Sequence, residues 1–370
     1  MGMAGPRKGA MEVKMDLRQR PARVLAATAV IVLCLALAAG CGTRREPASP
    51  TLTVMTHDSF KIGDGVIKAF EQENSCKVVL LKAGDAGAAL NQALLTKNNP
   101  MADVFYGVDN TFMGRALEAD LFVPHPSPLL RDIPDDLELD KGYRLLPVDY
   151  GDVCLNYDKK WFMKGPLAPP ASLEDLLKPA YKDLLVVENP ATSSPGLAFL
   201  LVTVGTFGEG GYLAFWKALK NNGVLVVSGW EEAYWGQFSA ASKGTRPIVV
   251  SYATSPAAEV YFSKEKLEAP PTEAVTAPGT TFRQIEFVGV LKGAANPTLA
   301  ARFVDYMLDR RFQEDIPLNM FVFPSNAKAA LPEVFLRYAR KAEKPVVIDV
   351  HRLEKMREAW IRAWTDTVLR

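Results

Sequence analysis

Between Leu52 and Ala119 the hydrophobic pattern switches three times from a strand period to a helix period. Residues 52–56, Leu-Thr-Val-Met-Thr, alternate apolar and polar side chains, as a half-buried strand does. Over 66–73, Val66, Ile67, Ala69 and Phe70 recur at helical spacing. A second strand is predicted at 77–81, and Asp85 stands where it can cap a helix through Ala88, Leu90, Ala93 and Leu94. A third strand at 102–106 leads through a loop at 107–110 into a helix ending at Ala119. That alternation restricts the chain to an α/β fold, a mainly parallel sheet flanked by helices. Ligands of such sheets bind outside the carboxyl ends of the strands. The segments there are 57–60, 84–87 and 107–110, all small and polar, and all equally ordinary as turns.

A Pro-rich interval at 123–134 breaks the pattern. Residues 145–157 then run extended around a central Gly151, long enough to cross from one lobe to another. A second series follows, with a strand at 184–188, a loop at 189–196, a helix at 197–204 and a strand at 224–227. Ser228-Gly229-Trp230 ends that strand, and a helix carrying Tyr234 and Trp235 comes next. In Arg246-Pro-Ile-Val-Val-Ser-Tyr-Ala-Thr-Ser-Pro-Ala257 a β-branched run gives way to hydroxyl residues before Pro256, the signature of a strand entering a helix. Such a junction delivers the Tyr252 ring and several hydroxyls to one helix N-terminus, which suits a flat or cationic group with a polar end. Residues 282–290 alternate and form a second candidate crossing strand. Helices are expected at 298–308 and 353–368, with Trp360 and Trp364 as core residues of the latter.

The first forty residues are not part of this pattern. Six Lys and Arg residues between Arg7 and Arg23 precede an apolar run at 24–39, about 16 residues where a membrane span needs roughly 20. The run closes on Leu37-Ala38-Ala39-Gly40-Cys41, which resembles the bacterial lipoprotein signal: cleavage before Cys41 and lipid attached to it. Ala38 stands where that signal more often has Leu, and a plain secretory signal or an uncleaved anchor are the alternatives. Met11 and Met15 are alternative starts. Residues 41–50 read as a tether. Cys34 would leave with the signal, so that Cys76 and Cys154 remain in an oxidising compartment, either paired or as two buried thiols. A net charge of +1 marks no nucleic-acid surface, and three histidines argue against a histidine-rich metal site.

Seven motifs, in order, carry a resemblance. They are Thr56-His57-Asp58-Ser59-Phe60, Ala102-Asp103-Val104, Asp149-Tyr150-Gly151, Ser193-Ser194-Pro195-Gly196-Leu197, Gly229-Trp230-Glu231-Glu232-Ala233-Tyr234, Ser251-Tyr252-Ala253-Thr254-Ser255-Pro256 and Gln284-Ile285-Glu286. From about residue 51 onward the chain resembles the thiamine-binding members of the type II solute-binding proteins of ABC importers. The resemblance implies a two-lobed periplasmic-binding-protein type II fold, each lobe a mainly parallel sheet flanked by helices, joined by crossing strands. The corresponding boundaries are 1–40 for the signal, 41–50 for the tether, 51–149 plus about 285–320 for the first lobe and 150–284 for the second, with 321–370 packing on the lobes, chiefly the second. It implies a monomer without a cofactor, exported and lipid-anchored to the outer face of the cell membrane or periplasmic. Its partners would be permease and ATPase subunits, with no nucleic acid.

The implied ligand is thiamine, thiamine monophosphate or thiamine diphosphate. Trp230 and Tyr252 match aromatics of the family's pocket, and Ser193 and Ser194 match a hydroxyl pair that holds the alcohol or phosphate end. Ala253, Thr254 and Ser255 continue a second polar edge beyond Tyr252. Asp85 and Ala86 match a pair from the other lobe, whose carboxylate offsets the cation or accepts from the aminopyrimidine. Three positions depart from the family: His57 where Tyr is frequent, a short 61–65 loop where a Trp is frequent, and Phe321 in place of Trp, while Trp235 is an added ring. Two other readings stand beside this one. One is a thiamine-degrading enzyme of the same fold with Cys154 as nucleophile and Glu286 as base. The other is a binding protein for ferric iron or another small solute.

Overall fold

The computed structural model describes Ser49–Arg370, Lys266 excepted. The expected signal at 1–40, the expected lipidation site Cys41 and all but the last two residues of the 41–50 tether lie outside the described residues. β1 (Thr51–Thr56), α1 (Asp64–Asn74), β2 (Lys77–Lys82), α2 (Ala86–Leu95), β3 (Val104–Asp109) and α3 (Met113–Glu118) realise the three predicted units. β1 lies between β2 and β3 and is parallel to both. Asp85 caps α2, its carboxylate accepting from the Ala86 N–H at 2.8 Å. One expectation fails locally. Gly107 to Asp109 continue β3 instead of forming a loop, because a distant strand pairs Asp109 with Glu286. Tertiary pairing here overrides the turn preference of Gly and Asp.

The remaining strands are β4 (Phe122–Val123), β5 (Leu146–Asp158), β6 (Leu185–Glu188), β7 (Leu225–Val227), β8 (Ile248–Tyr252), β9 (Thr272–Val275), β10 (Phe282–Leu291) and β11 (Phe323–Pro324). The sheet runs β2-β1-β3-β10-β5-β8-β6-β7. β8, β6 and β7 form a second parallel block. The antiparallel strands β10 and β5 separate it from the first. β5 changes partners along its length: Leu146 to Val153 pair with β10, and Val153 to Asp158 with β8 and β9. It crosses between the blocks as its length and central glycine suggested.

α4 (Ser194–Asn221) begins earlier and runs further than the 197–204 pattern, passing through a non-helical Gly208. Leu197 to Val202 are fully buried on it. α5 (Ser255–Phe262) follows β8, with Pro256 in its first turn. α6 (Pro297–Leu308), α7 (Arg310–Asn319), α8 (Glu333–Tyr338) and α9 (Val350–Val368) complete the chain. On α9, Trp360 and Trp364 are core residues; Trp364 meets Trp216 of α4 edge-on at 5.4 Å, while Arg357 lies 4.3 Å from the centre of the Phe112 ring. Cys76 and Cys154 are buried free thiols, so no disulfide joins them.

A small second core holds the loop that carries Trp230. Val186, Val227, Ala233, Tyr234, Phe238 and Val249 form it, and the Tyr234 hydroxyl donates to Glu259 Oε1 of α5 at 2.6 Å. Burial pushes the Glu259 carboxyl up to about 7 from 4.5, despite the Tyr234 hydrogen bond that favours its ionised form. A raised carboxyl stabilises the fold fully below its unfolded pKa and ceases to as pH rises through its folded one. Glu259 therefore withdraws about 3 kcal/mol of stability as pH rises from 4.5 to 7. Denaturant melts across that range should show a shallower pH slope in Glu259→Gln than in the parent chain; identical slopes would remove Glu259 as the source.

Candidate ligand-binding cleft

The carboxyl ends of both parallel blocks open on one cleft of about 780 Å³, measured out to its mouth. His57 follows β1, Asp85 follows β2, Ser194 opens α4, Trp230 follows β7, and Tyr252 and Ser255 join β8 to α5. Trp235, Phe262, Phe321, Met320, Lys61, Glu231 and Glu286 complete most of its wall. The walls are thus aromatic, with carboxylates among the rings.

The aromatic side is built from one short stretch. Trp230 stacks on Tyr234 at 4.9 Å, with planes 18° apart, and Trp235 stands edge-on to both. Trp230 Nε1 donates to Ser251 Oγ at 2.9 Å, and that hydroxyl lies 2.9 Å from Ser255 Oγ. The ring is therefore held by β8, on the same wall as Tyr252, whose hydroxyl donates to Gln284 at 3.1 Å. Phe321 has φ 56° and packs edge-on against Phe262 at 4.8 Å. Thr254 donates to its carbonyl and so fixes that strained turn.

The blocks also touch directly across the cleft. The Gly87 N–H donates to the Thr192 carbonyl at 3.1 Å, and Asp85 Oδ2 accepts from the Trp230 N–H at 3.2 Å. A Cβ on Gly87 would lie 2.9 Å from the Ala191 oxygen and 3.0 Å from that of Thr192, so only glycine allows this approach. Burial raises the Asp85 carboxyl above its ordinary range, and its backbone donors and His57 only partly offset that.

A buried titrating network lies behind the cleft. Tyr106 OH is 2.6 Å from Asp149 Oδ2 and 2.9 Å from Glu286 Oε2, and His57 Nε2 is 3.4 Å from Glu286 Oε1. Burial alone would lower His57, but the facing Glu286 prevails and raises it. Burial alone would raise Glu286, yet His57 and the surrounding hydrogen bonds hold it low. Asp149, buried and facing Glu286, is pushed well up. Asp109 is pushed up to about 6 by burial, which nearby Ser194 and the hydrogen bonds from Thr111 only partly offset.

Of the residues singled out by sequence, His57, Asp85, Ser194, Trp230, Tyr252, Ser255 and Phe321 line this one cleft. Ala86, Ser193, Ala253 and Thr254 are buried behind it. Ser193 faces Asp85 without completing a well-aligned hydrogen bond. Ala253 N–H instead donates to Asp152 O at 2.8 Å, as part of the sheet edge. Sequence reading placed neither Phe262, Met320 nor Lys61 here; of these segments the resemblance marked only the shortened 61–65 loop and Phe321. Cys154 is fully buried in β5 and does not line the cleft, and burial pushes its thiol up.

Comparison with known proteins places this architecture. Residues 99–342 match the profile of the family described as bacterial extracellular solute-binding protein. The thiamine-binding periplasmic protein of Salmonella typhimurium is 32% identical over 330 residues, covering 87% of this chain and 95% of that protein. Its counterpart from Escherichia coli is 31% identical, covering 91% and 99%. Among solved structures, a periplasmic thiamin binding protein superposes with a TM-score of 0.76 at 29% identity, covering 88% of this chain and 99% of that one. The binding protein AfuA from Actinobacillus pleuropneumoniae shares the fold, with a TM-score of 0.75 at 22% identity, covering 87% and 99%. With its two parallel blocks, its crossing strands and a cleft at their carboxyl ends, the chain belongs to the bacterial extracellular solute-binding proteins and has their two-lobed type II fold.

Proposed function

We propose that this chain is the solute receptor of an ABC importer and that it binds thiamine, or one of its phosphates, in the cleft. The observation that carries the reading is the composition of the walls. Trp230, Trp235, Tyr252, Phe262 and Phe321 surround a space that also contains Asp85, Glu231 and Glu286. A thiazolium cation gains about 0.5–2 kcal/mol against each well-placed ring. The hydroxyls of Ser194 and Ser255 are the polar groups for the alcohol or phosphate end. Relatives at 31–32% identity that carry the name thiamine-binding support the same ligand.

Delivery requires a closed form that the permease recognises, with the ATPase subunits as the importer's other partners. The Gly87–Thr192 and Asp85–Trp230 contacts act as its seam, so a ligand touching both walls shifts the population toward closure. We take residues 51–149 with about 285–320 as one lobe, 150–284 as the other and 321–370 as packing on them. Export and lipid attachment at Cys41, which would hold a monomer at the outer face of the cell membrane or leave it periplasmic, rest on the N-terminal sequence. The degrading-enzyme alternative lacks its nucleophile, because among the described residues the cleft wall contains no cysteine. For iron, Tyr252 is already bonded to Gln284, and no metal-holding group of three His, Cys, Asp or Glu exists among the described residues.

Titration with thiamine should quench or shift tryptophan emission and raise the melting temperature; no change in either at saturation would refute the reading. Trp230→Ala should weaken binding about 10–30-fold, the loss of one strong ring–cation contact. Gly87→Ala should weaken it about tenfold by propping the seam open, and should also lower the ligand-free melting temperature, because its Cβ would lie 2.9 Å from the buried Phe112 ring. Calorimetry on the two variants measures both effects.

A further inference from the structure

Two polar atoms of a buried ion pair in the cleft wall make no hydrogen bond of ordinary length. His57 Nε2 is buried and has no hydrogen-bond partner. Its ring fits only because Gly107, at φ +105°, has no side chain; a Cβ there would lie 2.5 Å from His57 Cδ2. Opposite stands Glu286 Oε1, 3.4 Å from Nε2, beyond ordinary hydrogen-bond length.

Proton counting fixes the state of this pair. Tyr106 OH approaches both Asp149 and Glu286 within 2.9 Å. A phenol has a single proton, so one carboxyl must carry its own and donate to the phenol oxygen. Asp149 is that group, being buried and facing Glu286, while His57 keeps Glu286 ionised. The relay Asp149–Tyr106–Glu286 occupies Oε2 and leaves Oε1 as an acceptor at the cleft wall. The other charges acting on His57 come from Asp85 and Asp58, and Asp85 has both oxygens engaged by the backbone of Ala86 and Trp230. Glu286 is therefore the carboxylate that stands beside His57 with its second oxygen open at the cleft wall.

We propose that His57 and Glu286 together read the amidine edge of an aminopyrimidine. His57 Nε2–H donates to a ring nitrogen, and Glu286 Oε1 accepts from the adjacent exocyclic amine. This rests on the thiamine reading and adds the residues that select the ligand's uncharged ring. A donor and a carboxylate side by side match one donor–acceptor order and reject the reverse. An oxo ring, with a carbonyl in place of the amine and a proton on the neighbouring nitrogen, presents that reverse order and sets two acceptors and two donors against each other.

The test compares thiamine with its analogue bearing a carbonyl in place of the exocyclic amine, by calorimetry on the parent chain, Glu286→Gln and His57→Phe. The parent should prefer thiamine by at least about 100-fold, because a site built for a polar edge rejects the mismatched one strongly. Glu286→Gln, whose amide offers either a donor or an acceptor, should reduce the preference below about fivefold, with circular dichroism showing it folded. If loss of the Tyr106 acceptor prevents that variant from folding, His57→Phe carries the same comparison. Equal binding of both compounds by the parent, or full preference retained in the variants, overturns the proposal and leaves the thiamine reading standing. Failure of the parent to bind either compound overturns both.

Discussion

The antiparallel pairing of β5 with β10 is the constraint on which the rest depends. Two parallel blocks could each bury their own helices, but nothing in either would fix where its strand ends point relative to the other's. The register Phe282↔Val153 through Glu286↔Asp149 does so, because both strands continue into neighbours on opposite sides. It also sets Glu286 beside Asp149 and across from Asp109. The same pairing that joins the blocks thus brings together the carboxyls behind the cleft.

Three acids at that junction would repel one another if all were ionised. Burial resolves this by keeping protons on Asp149 and raising Asp109, while His57 compensates Glu286. The remaining negative charge sits at the wall, where aromatic rings surround it. A cation entering there replaces water by ring faces and one carboxylate, and the water-excluding walls make each contact stronger than it would be in the open. The two halves approach closely because Gly87 and Asp85 present backbone-scale groups, with no bulk at the seam. On the proposed reading, α2 and the loop of Trp230 are the elements that would couple recognition to closure.

Much of this was legible in the sequence, and the reasons are local. The β1 to α3 units and the β8–α5 junction announce themselves by period, by Asp85 and by Pro256, all short-range signals. The length of β5 and its Gly151 predicted a crossing. What sequence could not show depended on partners far along the chain. Gly107 to Asp109 look like a turn and become strand only through β10. β9 is four residues, too short to carry a period, and α7 contains Pro317, which argues against a helix. In the cleft, Tyr252 was found from its strand-to-helix junction and Trp230 from the family resemblance, but Ala253 and Thr254 turned inward because the sheet edge and Phe321 claim their polar groups. The importance of Glu286 toward a ligand emerges only once Asp85 is seen to be engaged on both oxygens.

The central claim is that the cleft clamps a flat cation between rings supplied by one sheet face. A crystal structure of the chain soaked or grown with thiamine tests it most directly. The account predicts the thiazolium within about 6 Å of the Trp230 or Tyr252 ring, with Gly87 N–H still on the Thr192 carbonyl. Thiamine bound outside the cleft, or lying against one wall with the Gly87–Thr192 contact open, would contradict it.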